Sequence, residues 1–355
     1  MFEDKLLGAL LGDDAVSAAF SSAATLSHFR DFEIALTDAL AGNCLLTSDT
    51  AAAIIAGCRS FVPDTERLRL DTMTDGLPVP AYIRQLKAHI GTPHADNVHL
   101  GATSQDLIDT ALALALTEIN AEFRSKISSL QENLQILNHS FGGNTLMGRT
   151  RMQAALPINV SQRIKAWLAP LQRHLERLQI VGPAVSVLQL GGAVGRRHAY
   201  GDKADAIAGQ MAEALGLHNP PAAWHTERDN LANYANWLSL VTGSLGKMGQ
   251  DVCLMAQQGI EEITLSGGGG SSAMPHKHNP IAAETLVTLA RYNAVQLSAM
   301  HHALIHEQER SGSAWALEWM ILPQMCEATA CALTTALRLT GQVSGMGKRA
   351  DQAGL

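Results

Sequence analysis

Aromatic residues are scarce in this chain, 5% of its 355 residues, although 46% are hydrophobic. With Ala, Leu, Gln and Met abundant instead, that composition favours helix over sheet. Positive charge is also short: 26 Lys and Arg stand against 33 Asp and Glu, for a net charge of −7. No basic cluster interrupts that balance, so a nucleic-acid footprint is excluded. The five cysteines, Cys44, Cys58, Cys253, Cys326 and Cys331, show no CxxC spacing and lie in apolar helical surroundings. They read as reduced core residues of a cytoplasmic protein rather than as disulfides or ligands. No apolar run reaches the ~18 residues of a membrane span. The opening Met1-Phe2-Glu3-Asp4-Lys5 places no basic region before its short apolar run, so no signal peptide is expected. Strand–helix–strand alternation and internal repeats are both missing. What remains is a globular chain with a core large enough for two or three domains.

The helical signal is long-range. Between Asp229 and Leu265 there is no proline, and Leu231, Tyr234, Leu238, Val241, Leu245, Met248, Val252 and Met255 follow alternating steps of 3 and 4. That is a heptad seam, and a helix running through to Leu265 would be roughly 50 Å long. Similar seams run from Leu116 to Leu137, from Val160 to Leu178 (with a kink expected at Pro170), from Ala283 to about His306, and from Glu318 to Leu339. The expected fold is all-α, a bundle of very long helices in residues 97–340. A separate helical region over 1–96, broken by Pro63, Pro78, Pro80 and Pro93, precedes it, and a short tail over 341–355 follows.

Three polar segments interrupt these helices. Residues 267–280 read GGGGSSAMPHKHNP. Four glycines and two serines cannot pack as a helix or strand, so the segment is either an exposed connector or a lid over a small anion. A second segment runs from Val98 to Thr110 and places Thr103 or Ser104 as the cap of a helix with Asp106 in its first turn. Such a helix start is also a carboxylate site. The third, Met147 to Pro157, sets Arg149 and Arg151 either side of Thr150 beside a helix start, a pattern suited to a polyanion or to surface ion pairs.

Taken together, these segments resemble the fumarase/aspartase superfamily. Gly270-Ser271-Ser272-Ala273-Met274-Pro275-His276-Lys277-His278-Asn279 fits its GSxxMxxKxN signature, the second segment its TSxD region and the third its GRTHxQ region. Within that superfamily, His99 to Asp106, Trp224 to Asp229, and Glu309-Arg310 followed by Trp315 and Glu318-Trp319 look like the branch that lactonises 3-carboxy-cis,cis-muconate. The adenylosuccinate lyase branch carries an added arginine for a nucleotide phosphate in the stretch that here reads Ser311-Gly312-Ser313-Ala314. Two departures stand out. The histidine of the third region is replaced by Arg151, and a further C-terminal helical domain of the superfamily is missing after Leu355.

The resemblance implies a cycloisomerase that needs no cofactor or metal. His276, His278, and the His302/His306 pair at i and i+4 lack a third-ligand pattern. It implies Ser272 as proton carrier, with Ser271 and Lys277 in the same loop, and Lys277 and Asn279 holding an aci-carboxylate. Substrate-binding positions carried over are His99, Thr103, Ser104, Gln105, Arg151, Gln153, Asn279, Glu284, Arg228 and Arg310. The implied partners are a small tricarboxylate substrate of aromatic catabolism (the protocatechuate branch of the β-ketoadipate pathway) and three further copies of the chain in a homotetramer with shared sites; nucleic acid and membrane are not among them. A fumarate-releasing lyase and a non-catalytic structural homologue are the alternatives.

Overall fold

A computed structural model describes residues 6–267, 269–270, 274 and 278–348 of the chain. Among them, twelve α-helices run in the order α1 Gly8–Leu11, α2 Asp14–Ala19, α3 Ser22–Gly42, α4 Ser48–Ser60, α5 Thr65–Asp75, α6 Val79–Ile90, α7 Ser104–Phe141, α8 Val160–Val185, α9 Ala204–Leu215, α10 Asp229–Met255, α11 Ile281–His302 and α12 Ser313–Gly341. Two small antiparallel pairs accompany them: β1 Thr145–Thr150 with β2 Gln153–Asn159, and β3 Ile263–Leu265 with β4 Val343–Met346. The all-α long-helix fold is as the seams predict.

The N-terminal helices break where proline requires it. Pro63 lies between α4 and α5, Pro78 and Pro80 sit at the start of α6, and Pro93 follows its end. Proline lacks the donor that a helix interior needs, whereas the first turn leaves that donor unused anyway. Pro170 and Pro183 lie inside α8 without ending it.

The helix expected to reach Leu265 stops at Met255. Continuing its seam would require apolar residues at 259 and 262, but these are Gly259 and Glu262. The backbone closes there instead: Gly259 and Glu261 take left-handed φ of 83° and 50°, and the Glu262 amide donates to the Met255 carbonyl at 2.8 Å. Ile263 then buries itself as the first residue of β3.

Two apolar cores result. One fills the bundle of α7, α8, α10, α11 and α12, around Phe123, Trp237, Leu238, Leu286 and Leu322. The other packs α3, α4 and α6 against α9 and the segment around Leu188 and Tyr200, with Phe29, Phe32 and Tyr82 at its centre. Helix α7 belongs to both: Leu107 and Ala111 lie in the second core, and Leu116 to Leu137 in the first.

The bundle is fastened at one end by a buried ion network. The Arg228 guanidinium, at the start of α10, meets Glu318 of α12 through Nε (2.9 Å) and Nη2 (2.5 Å), and Asp109 of α7 through Nη1 (2.7 Å) and Nη2 (3.1 Å). Asp109 also accepts from the Trp315 indole at 3.0 Å and from the amides of Gln105 and Gln189, each at 3.1 Å. Burial alone would raise the Asp109 pKa, but the Arg228 charge and these hydrogen bonds outweigh it and hold the carboxyl below its ordinary range. Burial likewise opposes the Arg228 charge, and the two carboxylates more than restore it.

Elsewhere in the bundle, His174 of α8 accepts from Arg177 at Nδ1 (3.2 Å), which leaves the Nε2 proton for the Ser244 hydroxyl at 2.8 Å. Burial, and then the positive charges of Arg177 and Arg173, push this imidazole down to about 4.

Two outcomes follow. Arg228→Met leaves Asp109 and Glu318 buried without their cation and should cost about 3–5 kcal/mol in urea unfolding, with Arg228→Lys restoring only part because lysine cannot make two forked contacts. His174 takes its proton near 6.5 when unfolded but near 4 when folded. Between those values the unfolded chain binds more protons, so this group makes stability fall as pH drops. His174→Gln should flatten the dependence of unfolding free energy on pH across that window.

Candidate active site

Residues 98–103 form a tight turn that delivers the chain to the start of α7. His99 and Gly101 both take left-handed φ, 63° and 77°. A side chain at Gly101 could not fit, because its Cβ would lie 2.6 Å from Cε1 of Tyr200. The Tyr200 hydroxyl donates to the Leu100 carbonyl at 3.1 Å and pins the turn. Thr103 caps the helix, and its amide donates to Asp106 Oδ2 at 3.0 Å.

Asp106 is the anchor of this corner. Besides Thr103, its Oδ2 accepts from the Gly192 amide at 2.9 Å, and its Oδ1 accepts from the Gly191 amide at 2.8 Å and His225 Nε2 at 2.9 Å. A wholly buried carboxylate thereby joins two distant stretches of chain, at Gly191-Gly192 and at His225, to one helix N-terminus. His99 packs beside it with Nδ1 2.6 Å from Glu33 Oε1 of α3. Burial disfavours the His99 imidazolium, but the adjacent Glu33 charge and hydrogen bond prevail and raise its pKa. Ser104 is half-buried, and its hydroxyl has no partner among the described residues. A free hydroxyl, the dipole of a long helix and an imidazole whose protonated form Glu33 favours are suited to holding a carboxylate.

Two residues expected to bind substrate are used internally instead. Gln105 is 1% exposed and spends its amide on Asp109 and the His225 carbonyl (2.8 Å), while its oxygen accepts from Arg310 Nε at 3.0 Å. Arg228 is enclosed by Asp109, Glu318 and the ring of Trp224, whose centroid lies 4.6 Å from its Cζ. The resemblance marks positions by spacing; it does not reveal that a carboxylate four residues after Gln105 and another on α12 claim these groups. Arg310 is exposed and also reaches the Gly192 and Ala193 carbonyls at 3.4 and 3.3 Å, with Nη1 left uncommitted among the described residues.

The remaining candidates lie at the other end of the bundle. Arg151 and Met152 form the two-residue turn between β1 and β2, with φ of 49° and 68°. Arg151 and Gln153 are exposed, and Arg151 has no partner among the described residues. Near its turn the hairpin is tied down by Arg149, whose Nη1 meets Glu262 Oε1 at 2.7 Å. Asn279 exchanges backbone hydrogen bonds of 3.0 and 3.1 Å with Gly269, closing the base of the glycine loop just before α11. Glu284 is exposed in the first turn of that helix. Ser271, Ser272, His276 and Lys277 lie outside the described residues. His302 is exposed, whereas His306 is buried with Nε2 3.5 Å from Glu318 Oε1.

Within one chain, then, the candidates form two groups. His99, Thr103, Ser104, Gln105, Arg228 and Arg310 sit at the N-terminal end of α7; Arg151, Gln153, Asn279 and Glu284 sit beyond its C-terminal end or beside it. The 38 residues of α7 hold the first group and the hairpin about 57 Å apart. The sequence did not single out Glu33, or the loop from Gln189 to Arg197. Its only cue was the Gly191-Gly192 pair, whose amides bind Asp106 across 85 and 86 positions.

Residues 13–294 match the protein family described as Lyase. The chain is 37% identical to the 3-carboxy-cis,cis-muconate cycloisomerase of Pseudomonas aeruginosa over 91% of its own length and 72% of that protein. It is also 37% identical to the Pseudomonas putida enzyme of the same name, over 99% of this chain and 83% of the relative. The crystal structure of the 3-carboxy-cis,cis-muconate lactonizing enzyme from Pseudomonas putida superposes with a TM-score of 0.90 and 36% identity, covering 98% of this chain and 78% of that one. With the helix start, the hairpin and the base of the glycine loop all in place, the chain belongs to the lyase family of the fumarase/aspartase superfamily.

Proposed function

We propose that this protein is a cycloisomerase that closes 3-carboxy-cis,cis-muconate to 4-carboxymuconolactone without a cofactor. One observation carries the reading: its similarity to the Pseudomonas cycloisomerases, at 37% identity, extends over nearly its whole length. The reaction is an intramolecular addition. One substrate carboxylate oxygen bonds to the far carbon of a conjugated double bond, and the displaced π pair moves to the carbon beside another carboxylate. That aci-carboxylate then takes a proton on carbon, so ring closure consumes one proton, drawn finally from water.

Ser272 is the group we assign to deliver that proton, assisted by Ser271. A serine hydroxyl of ordinary acidity can do this only if its alkoxide is stabilised, a task suited to Lys277 and the amides of the glycine loop. Lys277 and Asn279 would hold the aci-carboxylate; Thr103, Ser104 and His99 would hold another carboxylate at the start of α7. Arg151 fits ring closure better than elimination. An amine or hydroxide leaves poorly and benefits from a general acid such as histidine. In lactone opening, the reverse step, the leaving group is a carboxylate that needs no proton, so a guanidinium there is free to bind charge instead.

We further propose a homotetramer with shared sites. Support comes from the separation of the two candidate groups along α7, and from a hairpin that exposes Met152 (71%) and Leu156 (73%) to solvent in the single chain. Exposed apolar side chains on such a hairpin fit against another protein surface. We also place the protein in the cytoplasm, in keeping with its five cysteines, none of which forms a disulfide.

The direct test follows the conjugated diene of 3-carboxy-cis,cis-muconate by ultraviolet absorbance, beside fumarate release from adenylosuccinate; loss of the diene alone is expected. In that assay Arg151→Ala should raise KM by about tenfold, whereas unchanged kinetics in both Arg151→Ala and Arg151→His would remove Arg151 from the site. Sedimentation should give a tetramer. Ser104→Ala and Arg151→Ala chains, refolded together, should recover at a share of their sites the low KM that each variant lacks alone; failure to do so would count against sites built from different copies.

A further inference from the structure

The loop from Gly191 to Arg197 is unusually well held for a surface segment. Its two ends meet, the Arg197 amide donating to the Gly191 carbonyl at 2.9 Å. Its Gly191 and Gly192 amides bind Asp106, and Arg310 bonds the Gly192 and Ala193 carbonyls. Gly192 lies directly on the 98–103 turn, since a Cβ there would sit 2.7 Å from the Gly101 carbonyl oxygen. The loop therefore stands beside the turn that leads into α7, in a fixed position.

Two consecutive arginines close this loop, and their fates differ. Arg197 is 5% exposed; its Nε donates to the Leu190 carbonyl at 2.8 Å and its Nη2 to the Pro220 carbonyl at 3.3 Å. Arg196 is exposed and has no hydrogen bond or ion pair among the described residues. The loop also covers a polar atom without a partner. His225 is 4% exposed, its Nδ1 has no hydrogen-bond partner, and a Cβ at Gly195, the residue before Arg196, would be 3.6 Å from that nitrogen. The acidic groups that bracket the corner, Asp106 and Asp109, are fully engaged by other donors. A guanidinium on a pinned loop near a helix N-terminus, with no carboxylate in ion-pair contact among the described residues (Asp205 meets Arg197 instead, at 3.5 Å), is placed to receive an anion from outside the chain.

We infer that Arg196 is a substrate-specificity residue that takes one carboxylate of a tricarboxylate, next to the carboxylate held at the start of α7. This rests on the cycloisomerase reading for the reaction but not for the binding. Three carboxylates need more cationic contacts than two, and Arg196 supplies one that neither the glycine loop nor Arg151 provides. Its contribution belongs to binding, because a guanidinium stays protonated and cannot act as a proton carrier.

The test compares Arg196→Gln and Arg196→Lys with the unaltered protein, by turnover of 3-carboxy-cis,cis-muconate and by calorimetric titration with propane-1,2,3-tricarboxylate and with succinate. Arg196→Gln should raise KM and weaken tricarboxylate binding by about tenfold, with kcat within about twofold and succinate binding little changed. Arg196→Lys should recover part of the loss. Unchanged KM and unchanged tricarboxylate binding in Arg196→Gln would overturn the assignment. So would an equal loss in both variants accompanied by a lower Tm, which marks a structural role. If the unaltered protein binds the tricarboxylate through Arg196 yet leaves the diene intact, the cycloisomerase reading falls and the assignment of Arg196 stands.

Discussion

Arg228 lies between two carboxylates that come from different helices, and neither could remain charged in the interior without it. Asp109 belongs to α7 and Glu318 to α12, while Arg228 itself begins α10. Three of the long bundle helices are thus held in register at one end by a single guanidinium. Apolar seams alone would not fix that register, because heptad packing tolerates sliding by whole repeats. A buried charge triad does not: each carboxylate oxygen must meet its donor or incur the full desolvation cost. The same triad recruits Gln105, Gln189 and Trp315, so the corner where the substrate is proposed to bind is built outward from it.

One turn earlier on α7, Asp106 does the equivalent work for the backbone. Its two oxygens gather amides from Thr103, Gly191 and Gly192 and the imidazole of His225. The spacing of 106 and 109 puts both carboxylates on neighbouring faces of the first helical turns, one facing the loops and one facing the bundle. Precision at the helix N-terminus therefore comes from charges pointing inward, away from the substrate. Ser104 and the exposed edge of Arg310 remain for the ligand.

The far end of the bundle obeys a different rule. There the backbone is extended, the anchoring contact is the ion pair of Arg149 with Glu262, and the tip carries Arg151 into solvent. A helix as long as α7 keeps its two ends far apart whatever the side chains do. A reaction that needs both ends must bring them together from separate copies of the chain, which is why assembly enters the proposed mechanism through helix length.

Much was legible in the residue order. The alternating steps of 3 and 4 foretold the long helices because burial in a bundle demands an apolar stripe at that period. Prolines marked the N-terminal breaks because a helix interior cannot use them, and the failure of the α10 seam at Gly259 and Glu262 was itself readable. The β1–β2 hairpin was not: its turn uses Arg151 and Met152 with positive φ, without the Asn or Gly that normally advertises such a turn. Nor were the roles of Gln105 and Arg228 readable, since their partners lie up to 205 positions away. The sequence by itself determined the fold class and the superfamily, and it named the polar groups proposed for the site, because these follow from local periodicity and short motifs. Which of those polar groups are consumed by the fold and which are left for a ligand was decided only by tertiary structure, because long-range pairing inside a low-dielectric interior leaves no local trace in the chain.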